Sequence, residues 1–247
     1  MATPKPVAVS DALSHCRTCR IRPLSICAPL DADETARLAA IITTLEAAPK
    51  DELFHEGQAA AYTYNVTAGT LKLFKSLPDG RRQITGFLFP GDFIGLGPHG
   101  HYAQSAEAVT HVKLCRFPRR EFDRLLGDFP KLEHRLLEYA ETELSAAQEQ
   151  ILLLGRKTAV ERLASFLLML EKRAMRRGLP GNPIAVPMGR TDIADYLGLT
   201  IETVSRLFTR LKTAQVVRLL EGNFVQVLDQ AGLEDLAEGA SSLGGGR

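Results

Sequence analysis

Three of the four cysteines, Cys16, Cys19 and Cys27, fall within twelve residues as C-x2-C-x7-C, and Cys115 stands far along the chain. Closely spaced thiols on a short loop suit soft-metal chemistry: iron–sulfur clusters take four thiolates, and structural zinc takes four thiolates or three and an imidazole. The spacing leaves three assignments open. The first is a 4Fe-4S cluster on all four cysteines. The second is zinc on Cys16, Cys19 and Cys27 with His15 or Cys115 as fourth ligand. The third is two surface thiols and two buried ones. Arg17, Arg20 and Arg22 run through the same loop and are expected to lower the thiolate pKa values and offset cluster charge. A second group, Glu202, Ser205 and Arg206, is spaced i, i+3, i+4, which places all three on one face of a helix. Arg donates a bidentate pair to guanine, Glu accepts from the cytosine amino group and Ser does either, so this trio suits reading of base edges. Arg190, Thr200 and Arg210 join it as candidate DNA contacts. There is no nucleophile–base motif, phosphate-binding loop or H-E-x-x-H, so an enzyme is not expected.

The base-reading trio needs a helix-turn-helix to present it. Residues 192–197 carry Ile193, Ala194 and Leu197 at helical spacing, Gly198 permits the left-handed turn, and Thr200 can N-cap a second helix from Ile201. Val204, Leu207 and Leu211 point that helix back into a core. Two apolar strands, 216–220 and 224–227, flank Glu221-Gly222-Asn223 and predict a β wing behind it. Upstream, Leu137, Ala140, Leu144, Ala147, Ile151 and Leu154 recur at alternating three- and four-residue steps, an a/d seam for a homodimer, with Leu136 and Tyr139 left to pack homewards. A two-fold dimer presents two recognition helices to two half-sites of double-stranded DNA.

The thiols need a scaffold that brings residues 16–27 to residue 115. Residues 50–117 alternate in short apolar strands broken by Ala68-Gly69, Pro78-Asp79-Gly80 and Pro90-Gly91-Asp92, which predicts a β-sandwich or small barrel. In residues 112–117, Val112 and Leu114 face one side and Cys115 the other, so Cys115 is free to point at the N-terminal cysteine loop. Residues 31–45 read as an amphipathic helix with an acidic start and Leu38, Ile41, Ile42 and Leu45 as its apolar face. The expected organisation is α+β: a tail and cysteine loop (1–30), a β-barrel sensor domain (31–126), a dimerisation helix (127–156), a winged helix-turn-helix (157–240) and a flexible tail (241–247).

The chain has 247 residues and a net charge of only +1, but the charge is unevenly spread. Residues 156–220 hold 12 Lys and Arg against 5 Asp and Glu, whereas residues 121–155 hold 3 against 8. The positive segment is the one with the helix-turn-helix, as phosphate neutralisation requires. No segment is apolar over a membrane-spanning length, and the first sixteen residues lack a basic start followed by an apolar core. A cytoplasmic protein with reduced thiols is expected, with no membrane partner.

The order of these features resembles the Crp/Fnr superfamily of bacterial transcription regulators over nearly the whole chain, and within it the oxygen-responsive Fnr branch. Four features carry the resemblance: GDFIG at residues 91–95, ILLLGRKTAVERLASFL at 151–167, LGLTIETVSRLF at 197–208, and the four cysteines. The resemblance implies a cyclic-nucleotide-binding-type barrel, a long dimer helix and a winged helix-turn-helix. It implies that Cys16, Cys19, Cys27 and Cys115 hold a 4Fe-4S cluster without oxygen, and that the dimer then binds TTGAT-type inverted repeats and mainly activates transcription. It also implies that the 78–82 loop touches RNA polymerase. The zinc alternative becomes an oxygen-indifferent DNA-binding regulator stapled at its N-terminus. Leu96 and Gln104-Ser105 stand where cyclic-nucleotide binders carry a Glu and an Arg-Ser pair, so no cyclic nucleotide is expected.

Overall fold

The computed structural model describes residues 6–7 and 12–240. In chain order they form β1 (Pro6–Val7), α1 (Ala12–Arg17), α2 (Ala32–Ala39), β2 (Thr43–Ala47), β3 (Glu52–Phe54), β4 (Tyr62–Ala68), β5 (Leu71–Ser76), β6 (Arg82–Leu88), β7 (Phe93–Ile94), β8 (Ser105–Ala108), β9 (Val112–Pro118), α3 (Arg119–Asp128), α4 (Pro130–Arg156), α5 (Ala159–Arg176), β10 (Ile184–Ala185), α6 (Arg190–Leu197), α7 (Ile201–Thr213), β11 (Val217–Leu220), β12 (Phe224–Val227) and α8 (Gln230–Glu238). The chain divides into two compact units, and the division falls inside α4, between Ser145 and Ala146. The tail expected at 241–247 lies outside the described residues.

In the first unit the expected barrel is a sandwich of two antiparallel sheets, ordered β1-β2-β9-β4-β7 and β3-β8-β5-β6. Alternation along each strand sends one set of side chains between the sheets. Leu45, Val66, Val112 and Leu114 meet Leu71, Leu73 and Ala106 there. The opposite face of the first sheet builds a second apolar cluster, in which Phe93, Cys115 and Phe117 meet Phe122 and Leu125 from α3, Phe129 at the α3–α4 junction, Leu132 from α4, and Ile26, Leu30 and Leu38 from the N-terminal segment.

Three expectations change. Residues 31–45 are not one helix. Asp31 caps α2 in a capping box with Glu34, but the helix ends at Ala39. The β-branched run Ile41-Ile42-Thr43-Thr44 leads into β2, where Leu45 pairs with Leu114. Pro6 and Val7, expected in a tail, pair with Leu45 and Thr44 as an added edge strand. Residues 173–189, expected as a turn-rich connection, contribute β10, which pairs with β12.

The second unit holds α5 to α8 and a three-stranded sheet ordered β10-β12-β11. Gly198 adopts the left-handed conformation at φ 62 and closes α6, and the Thr200 hydroxyl accepts from the Thr203 N–H at 3.2 Å to cap α7. Val204, Leu207, Phe208 and Leu211 are buried, as the helix pattern required. Arg162 donates to the carbonyls of Leu154, Lys157 and Leu197, each at 2.9 Å, satisfying chain ends of both α4 and α6. Thr200→Ala removes the α7 cap and is expected to cost about 1 kcal/mol, read as a lower midpoint in urea unfolding.

Candidate functional site

The cysteine segment is not an open loop. Cys16 lies in the last turn of α1, and Cys19 and Cys27 flank a 3-10 turn at Arg22–Leu24. Cys115 sits on β9 between β2 and β4 and is 6% exposed. As its alternation required, it faces away from Val112 and Leu114. Cys16 and Cys27 are packed against the same apolar cluster that contains Cys115. The four sulfurs stand close enough that charge on Cys16, Cys19 or Cys27 opposes ionisation of Cys115.

The expected lowering of the thiol pKa values is reversed at Cys16, Cys27 and Cys115. Burial raises Cys16, with repulsion from Cys19 behind it, and pushes Cys27 up to about 12. Burial also pushes the Cys115 thiol upward. Of the three arginines only Arg22 opposes this at Cys16 and Cys27, and its guanidinium also donates to the Leu30 carbonyl at 2.5 Å. Desolvation outweighs the positive charge, as it does for thiols placed in apolar surroundings.

A four-thiol set fits a soft metal or an iron–sulfur group in number and kind. Among the described residues, however, no three His, Cys, Asp or Glu side chains stand ready-made as ligands. Holding such a group therefore requires the N-terminal turns to close on Cys115, which couples binding to local folding and to release of thiol protons. The side chain of His15, the alternative zinc ligand, lies outside the described residues.

The cysteine segment is joined to α4 chiefly through Tyr139, with Arg135 donating to the same Leu24 carbonyl at 3.5 Å. The Tyr139 hydroxyl bridges the carbonyl of Leu24, between Cys19 and Cys27, at 2.7 Å and the carbonyl of Gly91 at 2.5 Å. Gly91 lies at φ 102, and a Cβ there would stand 2.8 Å from the Cβ of Leu24, so only glycine allows the 91–95 turn to touch the cysteine segment. Leu136 and Tyr139 turn towards the sandwich as expected. Along the seam Leu137, Leu144 and Ile151 are 57%, 61% and 72% exposed, Ala140 and Ala147 are exposed, and Leu154 is half-buried. Leu152, which the sequence pattern left out, adds to the exposed apolar surface of α4.

On α7, Glu202, Ser205, Arg206 and Arg210 are exposed. Glu202 is held below the usual carboxylate range by its own backbone N–H at the helix start and by the Thr200 side chain. Thr200 is committed to the α7 cap. Arg190 is placed differently from the other candidates: it is half-buried, with its guanidinium 3.4 Å from the centre of the Phe208 ring. Its position at the start of α6 gave no sign of this, because the stacking partner is eighteen residues away. The hairpin β11–β12 forms the wing expected after the recognition helix.

A cavity of about 310 Å³ opens beside the GDFIG turn, lined among others by Phe93, Leu96, Tyr102, Gln104, Tyr139 and Glu143. Among the described residues that line it, none is a lysine or arginine. No helix is long and apolar enough to cross a membrane among the described residues.

Comparison with known proteins places these features together. Residues 44–129 match the cyclic nucleotide-binding domain family, and residues 161–236 match the Crp-like helix-turn-helix domain family. The chain is 42% identical to the transcriptional activatory protein AadR of Rhodopseudomonas palustris, over 90% of this chain and 93% of that protein. It is 39% identical to the nitrogen fixation regulation protein FixK of Bradyrhizobium diazoefficiens, over 95% and 98% respectively. Among solved structures, FixK2 from Bradyrhizobium japonicum superposes with a TM-score of 0.74 at 34% identity, covering 79% of this chain and 97% of that one.

Proposed function

The chain belongs to the Crp/Fnr family of DNA-binding transcription regulators, and on that premise we propose that it is an oxygen-sensing activator whose four cysteines hold a 4Fe-4S cluster. The observation that carries this reading is the meeting of Cys16, Cys27 and Cys115 on one apolar cluster, with Tyr139 linking the same segment to the seam helix. When bound, the cluster supplies an oxygen-labile bond between the N-terminal segment and the sandwich. The protein's own residues do the rest. Leu24 and Gly91 hold the Tyr139 hydroxyl, and Leu132, Leu136 and Tyr139 hold one face of α4 against the sandwich. With the N-terminal segment tied, that face stays docked and the opposite face, Leu137, Ala140 and Leu144, is presented in register to a second copy. With the segment released, Tyr139 loses its Leu24 partner and the seam is less well ordered. Two alanines bury little area, so the dimer sits near balance and a change of about 3 kcal/mol shifts its population over a hundredfold.

The dimer presents two α7 helices to the half-sites of a TTGAT-type inverted repeat, with Glu202, Ser205 and Arg206 towards base edges and Arg210 towards phosphate. The exposed 78–82 turn is the surface offered to RNA polymerase, by resemblance to relatives. The cavity beside residues 91–95 offers no cationic partner for a phosphate and carries Glu143, so the sandwich acts as a scaffold and not as a cyclic nucleotide site. The reading is tested by titrating a duplex carrying the inverted repeat with protein reconstituted anaerobically, before and after aeration. Strong binding that air abolishes is expected; equal binding in both states favours the zinc-stapled, oxygen-indifferent regulator. Leu144→Glu places a carboxylate twice in a two-fold seam and is expected to raise the dimer dissociation constant about a hundredfold, read by sedimentation.

A further inference from the structure

Asn65 is 2% exposed, yet its Oδ1 has no hydrogen-bond partner. The sheet register identifies its neighbours. Asn65 pairs with Cys115 on β9 and with Phe93 on β7, and Cys115 pairs on its other side with Thr44 on β2. Cross-strand partners project from the same face of a sheet. Phe93 and Cys115 belong to the outer apolar cluster, whereas Tyr64 and Val66, on either side of Asn65 in the chain, belong to the cluster between the sheets. Asn65 therefore stands on the cysteine face, directly beside Cys115. A side-chain carbonyl oxygen left unpaired in such surroundings is uncommon and asks for a partner. A half-turn about χ2 exchanges its carbonyl for its amino group, so it can offer N–H donors to the neighbouring sulfur. A thiol is a weak acceptor, but a metal-bound thiolate is a good one, and hydrogen bonds to ligand atoms are what orient and tune a metal centre.

We propose that Asn65 is a positioning residue of the cysteine centre, its amide donating an N–H to the Sγ of Cys115 when that sulfur binds metal. The assignment rests on the reading of the cysteines as metal ligands. The hydrogen bond holds the Cys115 sulfur in its bound orientation and withdraws charge from it, which raises the reduction potential of a bound iron–sulfur group and slows its loss. Asn65→Leu removes the amide at similar volume, and Asn65→Asp keeps the shape without the donor.

The test uses the full chain reconstituted with iron and sulfide under anaerobic conditions, as parent, Asn65→Leu and Asn65→Asp. Both variants are expected to load iron, to surrender it to a chelator about tenfold faster than the parent, and to show a more negative midpoint potential in protein-film voltammetry. Metal-free Asn65→Leu is expected to be at least as stable to urea as the parent, because an unpartnered polar group has been removed. Parent-like chelation rates and potentials in both variants would overturn the role of Asn65 while leaving the cluster reading intact. So would a loss of metal-free stability in Asn65→Leu that tracks its loss of iron, since that pattern marks a purely structural residue. A parent chain that takes up no iron would overturn the cluster reading and this assignment with it.

Discussion

Cys115→Ala is expected to abolish iron retention and to leave the anaerobic protein binding DNA no better than the parent does in air. Cys115 is the thiol on the rigid part of the centre. It lies on β9, hydrogen-bonded on both sides to β2 and β4, whereas Cys16 lies at the end of the short helix α1 and Cys19 and Cys27 flank a 3-10 turn. Without it three thiols remain, all on the N-terminal segment, and no metal–thiolate bond ties residues 16–27 to the sandwich. The contacts left are the hydrogen bonds of Tyr139 and Arg135 to the Leu24 carbonyl, each worth about 1 kcal/mol, and the apolar packing of Ile26 and Cys27 on the outer cluster, against the larger energy of a metal–thiolate anchor. The substitution removes only a sulfur from the buried cluster and costs the fold about 1 kcal/mol, so the variant folds and its metal content is measurable. Iron analysis and DNA titration on the same anaerobic sample check the result. Full oxygen-sensitive binding by Cys115→Ala would sink this wiring.

Arg206→Ala is expected to lose sequence discrimination, at about 1–3 kcal/mol for a bidentate contact with guanine, or on the order of tenfold to a hundredfold in Kd. Arg206 is exposed on α7, and its Nε–H donates to the Glu202 carbonyl one turn back at 3.3 Å, which holds its stem along the helix. The Glu202 side chain, on that preceding turn, is held below the usual carboxylate range by its backbone and Thr200 hydrogen bonds and is placed to accept from a cytosine amino group. Lysine at 206 should not restore discrimination, because an ammonium cannot reproduce the planar fork. Competition between the inverted repeat and a duplex altered at one base per half-site measures the effect. Arg210→Ala is the comparison: a phosphate contact weakens both duplexes alike and reduces the salt dependence. Unchanged discrimination in Arg206→Ala would show that the reading face lies elsewhere.

The parts of this molecule written in local chemistry were legible from sequence. Gly198 and Thr200 mark the turn because left-handed backbone and N-capping are properties of single residues. The alternation at Val112, Leu114 and Cys115 sent the thiol to the outer face because a strand has a period of two. The parts that depend on distant partners were not. The apolar spacing of Ile41, Ile42 and Leu45 fits a helix as well as a strand, and pairing with β9 decides it. Two-residue strands such as β1 and β10 carry no period at all and exist only through their partners. Three arginines in the cysteine segment predicted acidic thiols, but burial is a tertiary property and it reverses the sign. Arg190 looked like an outward cation until Phe208 was placed under it. The unpartnered side-chain oxygen of Asn65 has no signature in sequence, since an asparagine in a strand reads as solvent-facing until the other face is covered.

Elemental analysis decides whether these four thiols hold an oxygen-labile iron–sulfur cluster. Protein purified under strict anaerobiosis is assayed for iron, acid-labile sulfide and zinc, its visible absorbance is recorded, and air is then admitted. The expected result is about four irons and four sulfides per chain, with colour that bleaches in air. A colourless protein carrying zinc, unchanged by air, would contradict the sensor while leaving the DNA-reading helix as described.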